Sequence, residues 1–339
     1  MHTDTLQLID EWGPEKVVCV SDRRSGMRGV LLIDNSARGV GKGGTRMSPN
    51  LSVMEVARLA RTMTWKWAAV DLFQGGAKAG IIGDPHAPDK EAVLRAFARA
   101  LANEVPAEYV FGLDMGLTEH DAAIFVDELG DRGAAVGLPR ALGGLPYDEL
   151  GVTGYGVAEA TDAAAAAISL PITGARVALQ GFGAVGRAAA ERLVELGAVI
   201  TAVSTATGAI VDQDGIDVPR LVALRREFGD ACVLQYGGAL DPVRCAHDRR
   251  ADPHPIATAG GVIAAAHSMD ARYSPFTVDP EHVFAMISTK MRQNTLTIVN
   301  EARNRHLTTH AAAQRLSRER VRAAMMLRGQ IPQEGGDHR

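Results

Sequence analysis

Several features that mark other classes of protein are scarce in this sequence of 339 residues. Its three cysteines, at positions 19, 232 and 245, cannot all pair and show no Cys-x-x-Cys spacing, which favours a reducing, cytoplasmic location. We find no run of about 18 apolar residues and expect no membrane span. The first residues lack the basic stretch and apolar run of a secretory signal. A formal net charge of -4 gives no general attraction for nucleic acid or anionic lipid.

The composition is typical of a globular chain. Hydrophobic residues make up 46% and charged residues 22% of the sequence, a balance that excludes a disordered chain. At about 150 residues per domain, the length predicts two domains. Glycine and proline cluster between Gly143 and Gly156, so we place a domain boundary near residue 150.

Before this boundary, short β-branched runs alternate with helical patterns. Residues 17–20 and 29–33, separated by a turn-rich segment, predict a β-hairpin. Helices are predicted to begin at Ser52 and Thr118, each of which has an acidic residue three positions later, the spacing of a capping box. Further strands are predicted at 77–82 and 109–111, and a further helix at 90–103. The alternation predicts an α/β domain with a mainly parallel sheet.

The alternation continues after the boundary. Strands are predicted at 176–180, 198–203 and 231–236. A long helix is predicted from Asp279, an N-cap followed by proline, towards His306. A last, arginine-rich helix over residues 309–327 has an apolar stripe, and we expect it to dock on the first domain rather than to bind nucleic acid.

A glycine pattern typical of dinucleotide-binding proteins follows the strand at 176–180. It has the form G-x-G-x-x-G and comprises Gly181, Phe182, Gly183, Ala184, Val185 and Gly186. In such a site the glycines permit the tight turn, the approach of the pyrophosphate and the close packing of helix on strand, and the phosphates meet free N–H groups of the helix. The alternative is a tight turn that binds nothing.

The next strand ends without the carboxylate that grips the ribose in many NAD sites. The chain reads Ser204, Thr205, Ala206 and Thr207 there. These hydroxyl groups are compatible with a 2′-phosphate, so the choice between NAD and NADP stays open.

Two lysines lie in unusually apolar surroundings. Lys66 lies at the edge of an apolar helix stripe, and Lys78 lies among glycines with almost no polar neighbours. Buried ammonium groups are costly unless paired, which suggests that a ligand supplies their counter-charge. Proximity and burial would lower their pKa values, so a neutral Lys78 would act as a base or activate a water. The alternative is that both side chains extend to solvent.

The sequence resembles the glutamate/leucine/phenylalanine/valine dehydrogenase family over nearly its whole length. The motifs that carry the resemblance are Gly13-Pro-Glu-Lys16, Lys42-Gly-Gly-Thr-Arg46, Met63-Thr-Trp-Lys66, Gly75-Gly-Ala-Lys78, Asp114-Met-Gly116, Gly143-Gly144, Thr153-Gly154, the glycine pattern and Ala259-Gly-Gly-Val262. The resemblance implies reversible oxidative deamination of an L-amino acid to its 2-oxo acid and ammonia with NAD or NADP, by a homo-oligomer.

The resemblance also implies roles for individual residues. Lys66 would hold the α-carboxylate, Lys78 would be the catalytic lysine, and Asp114 would carry protons. Thr153 would lie near the nicotinamide. The stretch of Lys42 and Gly44 would contribute to substrate binding, and a lysine at position 42 favours glutamate, although Ala265 cannot supply a second polar contact. No metal site is implied.

We therefore expect an N-terminal α/β substrate and oligomerisation domain over residues 1–148, completed by the helix at 309–330. A Rossmann-like dinucleotide-binding domain is expected over residues 149–308. This second domain is shortened between 240 and 259, where too few residues remain for the strand–helix–strand units of a complete fold. The nicotinamide half would then be curtailed, which leaves open an inactive relative that acts as a binding or regulatory subunit. Cys245, His247 and His254 in this interval fit a surface loop better than a zinc site.

Overall fold

The computed structural model describes residues 5–237 and 257–332. The chain forms two compact units. The first unit comprises Met1–Pro146, Ala265–Asp279 and Ala313–Arg339, and the second comprises Tyr147–Ala264 and Pro280–Ala312. The domain limits expected from the sequence stay a prediction, and most of the shortened interval, with Cys245, His247 and His254, lies outside the described residues.

The first unit is built on one six-stranded sheet. Its strands are β1 (Lys16–Asp22), β2 (Met27–Asn35), β3 (Gly41–Lys42), β4 (Thr45–Ser48), β5 (Gly75–Ile82) and β6 (Tyr109–Val110), and its helices are α1 (Val53–Ala69), α2 (Lys90–Ala100) and α3 (Glu119–Leu129). Both predicted helix starts are confirmed: Ser52 Oγ accepts a hydrogen bond from the Glu55 N–H at 3.2 Å, and Thr118 and Asp121 form a capping box.

The strand order is β1-β2-β5-β3-β6, and β4 also pairs with β5. The predicted hairpin is confirmed, since β1 and β2 pair antiparallel from Lys16↔Ile33 to Asp22↔Met27. Three of the five strand pairings are parallel, as expected, because β3 pairs in parallel with β5 and β6 and β4 pairs in parallel with β5. The β2–β5 pairing is antiparallel, like that of the hairpin. The hairpin reverses the chain direction, and the sheet is therefore mixed.

Alternate residues of β5 point to opposite faces of the sheet. Ala77, Ala79 and Ile81 belong to the core that includes apolar residues of α2 and α3. Gly76 lies on the other face, where a Cβ would stand 2.5 Å from Thr64 Cα in α1. Helix α1 therefore packs directly on the strand, and this close packing brings the face of β5 that carries Lys78 next to α1.

The remaining described residues are mostly helical. The elements are α4 (Tyr147–Leu150), α5 (Val152–Ala167), β7 (Arg176–Gln180), α6 (Ala184–Glu195), β8 (Val199–Thr205), β9 (Gly208–Val211), α7 (Val218–Phe228), α8 (Cys232–Gln235), α9 (Gly260–Ala271), α10 (Pro280–Arg305) and α11 (Thr309–Leu327). The strands predicted at 176–180 and 198–203 and the long helix towards His306 are confirmed. No helix among the described residues is long and apolar enough to span a membrane.

The strand predicted at 231–236 is wrong. Residues 232–235 form α8, and the third strand of the second unit is β9, which pairs antiparallel with β8, whereas β7 and β8 are parallel. Cys232, Val233 and Tyr236 are buried while Leu234 is exposed, a spacing that fits a helix. In a run this short, apolar content alone does not distinguish a strand from a buried helix.

Helix α11 docks on the first unit, as expected. Its residues Val321 and Met325 are buried with Ala37 and Ala68. The guanidinium of Arg320 donates hydrogen bonds to the carbonyl oxygens of Ala68, at 2.7 Å, and of Ala69, at 3.0 Å. These contacts attach α11 to the C-terminal end of α1.

Candidate active site

Lys78 and Asp114 form a buried ion pair in the first unit. Lys78 Nζ lies 2.6 Å from Asp114 Oδ2, and Lys78 is only 5% exposed. Burial lowers the pKa of Lys78, although the charge and hydrogen bond of Asp114 raise it in part. The expectation that Lys78 has almost no polar company is therefore wrong, since Asp114, 36 positions later, supplies the counter-charge that the sequence assigned to a ligand.

Lys66 is close enough to this pair to be affected by both of its charges. Burial lowers the pKa of Lys66 to about 8, with the charge of Lys78 lowering it further and that of Asp114 raising it. No ion pair or hydrogen bond of its ammonium group occurs among the described residues. The two predicted lysines are thus brought together, and Lys66 is the one for which the described residues provide no partner.

Lys42 is buried more completely than either, at 2% exposure. Its Nζ donates hydrogen bonds to the carbonyl oxygens of Val110, at 3.0 Å, and of Phe111, at 2.8 Å. Burial and the charges of Lys78 and Arg272 hold the pKa of Lys42 well below its ordinary value. These carbonyl oxygens carry no net charge, and no carboxylate pairs with Lys42 in the described part of the chain.

Gly44 lies where two segments meet. A Cβ at this position would stand 2.5 Å from the Leu113 carbonyl oxygen and 2.7 Å from Asp114 Cβ. The neighbouring residue, Thr45, donates its N–H to the Gly112 carbonyl oxygen at 2.8 Å. The absence of a side chain at Gly44 therefore lets the segment of Asp114 lie against the start of β4.

Arg46 and Glu55, neither of which was predicted as a site residue, complete this cluster. Arg46 Nε donates a hydrogen bond to Asp114 Oδ2 at 2.9 Å, and its Nη1 donates to Glu55 Oε1 at 2.7 Å. Burial alone would raise the pKa of Asp114, but Lys78 and Arg46 outweigh it and lower that pKa to about 2. Arg46 lies in the quoted Lys-Gly-Gly-Thr-Arg motif, which is the signal that could have identified it.

The glycine pattern forms a turn between β7 and α6 in the second unit. Gly181 has φ +91° and Gly183 is the N-cap of α6. Apart from each glycine and its two chain neighbours, no heavy atom of the described residues lies within 4 Å of where a Cβ of either would stand. Gly186 is tightly packed, since its Cβ would meet the Gly181 carbonyl oxygen at 2.0 Å. Phe182 is buried, whereas Val185 is exposed. Open glycines before a helix N-terminus form a cradle that fits a pyrophosphate.

The end of β8 lies beside this turn, because the Gly181 N–H donates to the Ser204 carbonyl oxygen at 2.9 Å. The Thr205 and Thr207 hydroxyl groups lie 2.7 Å and 2.6 Å from the Asp230 carbonyl oxygen and donate to it. A hydroxyl has one hydrogen to donate, so these two are already engaged and are poorer donors to a 2′-phosphate than the sequence suggested.

Thr153 and Ala184 belong to packed helices of the same unit. Thr153 lies in the first turn of α5, and its Oγ1 stands 2.7 Å from where a Cβ of Gly261 would be. Ala184 begins α6, which packs against α5 at Gly154, where a Cβ would meet the Val185 carbonyl oxygen at 2.2 Å. The lysines and Asp114 belong to the first unit, and the glycine turn, the β8 end and Thr153 belong to the second.

Comparison with protein families matches both parts of the chain. Residues 14–131 match the Glu/Leu/Phe/Val dehydrogenase dimerisation domain. Residues 143–249 and 250–329 match the Glutamate/Leucine/Phenylalanine/Valine dehydrogenase domain. The second domain model thus matches in two stretches that adjoin at residues 249 and 250.

Curated relatives of similar sequence are glutamate dehydrogenases. Glutamate dehydrogenase B of Halobacterium salinarum is 38% identical over 193 residues, which cover 54% of this chain and 45% of the relative. The NADP-specific glutamate dehydrogenase of Saccharolobus shibatae is 35% identical over 253 residues, which cover 70% of this chain and 59% of the relative. The chain spans about half the length of the curated relatives it matches.

Solved structures of similar fold have related names. The hetero-hexameric glutamate dehydrogenase from Thermus thermophilus, in a leucine-bound form, is 26% identical with a TM-score of 0.81, covering 96% of this chain and 93% of that chain. L-tryptophan dehydrogenase from Nostoc punctiforme, 22% identical with a TM-score of 0.65, shows a similar fold over 94% of this chain and 98% of that one. The family matches and these likenesses agree, and the chain belongs to the glutamate/leucine/phenylalanine/valine dehydrogenase family.

Proposed function

We propose that this protein is an NAD(P)-dependent amino-acid dehydrogenase that converts an L-amino acid reversibly to its 2-oxo acid and ammonia. One observation carries the proposal: a buried lysine–aspartate pair, Lys78 and Asp114, lies beside Lys66, whose ammonium has no partner among the described residues. The α-carboxylate of an amino acid bound to Lys66 would supply the missing negative charge and place the α-carbon of that amino acid near Lys78 and Asp114. The glutamate dehydrogenases among the relatives support the same reaction.

We propose L-glutamate as the substrate because neither Lys66 nor Lys42 has a carboxylate partner among the described residues. Lys66 would bind the α-carboxylate. Lys42 uses two of its three hydrogens on the Val110 and Phe111 carbonyl oxygens and would direct the third to the side-chain carboxylate. A dicarboxylic amino acid would neutralise both ammonium groups, whereas an apolar amino acid would leave Lys42 without a counter-charge.

The residues of the first unit supply the proton transfers. Asp114 Oδ1 would take a proton from the substrate amine. When bound, a nicotinamide cofactor would supply the hydride acceptor, and loss of hydride from the α-carbon would leave a substrate iminium. Lys78 in its neutral form would take a proton from the water that adds to the iminium carbon, and Asp114 would give its proton to the nitrogen of the resulting carbinolamine. As the C–N bond breaks and ammonia leaves, the hydroxyl proton would pass to the Asp114 carboxylate and the C=O bond of the 2-oxo acid would form. The lowered pKa of Lys78 makes this neutral form more accessible than it is for an ordinary lysine.

The second unit has residues that fit a dinucleotide. The open faces of Gly181 and Gly183 leave room for the pyrophosphate, and the first N–H groups of α6 would donate to it. Ser204 and Thr205 at the end of β8 would lie by the ribose, and Thr153 by the nicotinamide. We propose NAD or NADP as the cofactor, and affinity measurements with each at equal concentration decide between them.

A turnover assay with the full chain tests the reaction. Purified protein is mixed with a panel of L-amino acids and either NAD or NADP, and reduced cofactor is followed by its absorbance. We expect turnover with L-glutamate and loss of turnover in Lys78→Ala. The matched control is Lys90→Ala, because Lys90 Nζ also pairs with an aspartate, Asp121, at 2.7 Å but is outside the cluster. Absence of turnover with every amino acid would contradict the proposal and favour the inactive relative considered above.

We also propose that the protein is a homo-oligomer. The match of residues 14–131 to a dimerisation domain supports this, as does the hetero-hexameric relative from Thermus thermophilus. Light scattering coupled to size-exclusion chromatography tests it, and a monomeric mass at micromolar concentration would contradict it.

A further inference from the structure

We propose that Arg46, held in place by Glu55, is a positioning residue that fixes the carboxylate of Asp114 and thereby shapes the charge environment of Lys78. The proposal rests on the proposed function, because it assumes that Lys78 and Asp114 carry out the proton transfers. Neither Arg46 nor Glu55 contacts the ammonium group of Lys66 or Lys42 in the described part of the chain.

The backbone places Arg46 on the same face of the sheet as Lys78. In the parallel pairing of β4 with β5, Arg46 lies opposite Gly80, which is two residues after Lys78 and therefore points to the same face. On its other side β4 is bonded to the segment of Asp114, since the Met47 N–H donates to the Met115 carbonyl oxygen at 3.0 Å. Arg46 therefore lies between the two members of the pair.

The two cations contact the same oxygen of Asp114. Lys78 Nζ lies 2.6 Å and Arg46 Nε lies 2.9 Å from Oδ2. The other oxygen, Oδ1, accepts no hydrogen bond within the described residues. Two donors on one oxygen fix the rotation of the carboxylate and leave Oδ1 available to exchange a proton with a ligand.

Glu55 in turn holds the guanidinium of Arg46. Its Oε1 accepts from Arg46 Nη1 at 2.7 Å, and its own N–H is bonded to the Ser52 Oγ that caps α1. The fork of donors on arginine lets Nε and Nη1 serve two carboxylates at once, which the single point charge of a lysine would not do in the same geometry. The orientation of Asp114 is therefore tied to the start of α1.

The charges of Arg46 and Glu55 change the pKa of Lys78 in opposite directions. The groups that face Lys78 are the cations Lys42, Lys66 and Arg46 and the anions Asp114 and Glu55. Arg46 lowers the pKa of Lys78, whereas Glu55 raises it. Removal of Arg46 also frees Asp114 to pair with Lys78 alone, which favours the ammonium form that is unable to act as a base.

Substitution of Arg46 and of Glu55 tests the proposal, because the two changes should shift the pKa of Lys78 in opposite directions. We expect Arg46→Gln to shift the limb of the kcat/KM profile that reports Lys78 to higher pH and Glu55→Gln to shift it to lower pH. Arg46→Lys keeps the charge but loses the fork, so we expect a limb near the wild-type position with kcat lowered about tenfold or more. A merely structural role would lower activity in parallel with stability and would leave the limb in place.

A second measurement does not depend on turnover. The rate at which an arylating reagent modifies Lys78, followed by peptide mass spectrometry across pH, reports the pKa of its ammonium group directly. We expect the midpoint to move to higher pH in Arg46→Gln and to lower pH in Glu55→Gln. These shifts are expected even if no amino acid is turned over, a result that would refute only the proposed function. Arg95→Gln is the control, because Arg95 is held by Glu91, Asp127 and Glu128 away from the cluster. Shifts in the same direction, or none, in both variants would overturn the proposal.

Discussion

The titration of Lys66 makes ligand affinity depend on pH in a way that can be calculated. A carboxylate binds the ammonium form, and the pKa of Lys66 in the free protein is about 8. The apparent dissociation constant then rises by the factor 1 + 10^(pH − pKa), which is about 1.1 one pH unit below the pKa and about 11 one unit above it. We therefore expect the affinity for 2-oxoglutarate to fall about tenfold between about pH 7 and about pH 9.

Isothermal titration calorimetry with 2-oxoglutarate, in the absence of ammonia and cofactor, measures this affinity without turnover. The control is Lys66→Arg, because a guanidinium stays protonated over the whole range. Lys42 and Lys78 also have lowered pKa values and titrate in both proteins. The difference between wild type and variant therefore isolates Lys66. The same pH dependence in both proteins would refute the assignment of the α-carboxylate to Lys66.

Three further substitutions have outcomes that follow from single positions. In Gly44→Ala the new Cβ would stand 2.5 Å from the Leu113 carbonyl oxygen, so we expect about 1 to 3 kcal/mol less stability in urea unfolding; wild-type stability would contradict the packing described. The pKa of Lys66 is lower in the folded than in the unfolded chain, so folding is penalised at pH 7 and this penalty declines as the pH rises from about 8 towards 10.5. Lys66→Met should therefore stabilise the protein by about 3 kcal/mol at pH 7, while an unchanged free energy of unfolding would show that Lys66 is solvated. Gly183→Ala meets no described atom within 4 Å, so we expect an unchanged melting temperature and a large loss of dinucleotide affinity by calorimetry; retained affinity would exclude this turn as the phosphate site.

Local patterns predicted the parts of the fold that local interactions determine. The helix starts at Ser52 and Thr118 were predictable because a cap and an acid three residues later satisfy the free N–H groups of a first turn. The glycine turn at 181–186 was predictable for a similar reason, since all its constraints lie within six residues. The helix at Cys232–Gln235 was not, because four residues show too little periodicity to distinguish a helix from a strand.

The candidate site was predictable only in part, because its contacts join distant positions. The apolar sequence around Lys78 suggested a buried lysine but not its partner. Asp114 lies next to Lys78 because β4 is hydrogen-bonded to the segment after β6. The bond between Arg46 and Asp114 spans 68 positions. A single sequence contains no signal for such a pairing. The motifs therefore identified the lysines, and only the fold showed that Asp114 is the carboxylate that Lys78 meets.

A crystal structure of the full chain with 2-oxoglutarate, grown near pH 7, tests the central claim most directly. We predict that the α-carboxylate lies within hydrogen-bond distance, about 3 Å, of Lys66 Nζ and the side-chain carboxylate within the same distance of Lys42 Nζ. The carbonyl carbon should then lie beside Lys78 Nζ and Asp114 Oδ1. A ligand bound elsewhere, or a Lys66 side chain extended into solvent with the ligand present, would contradict the account.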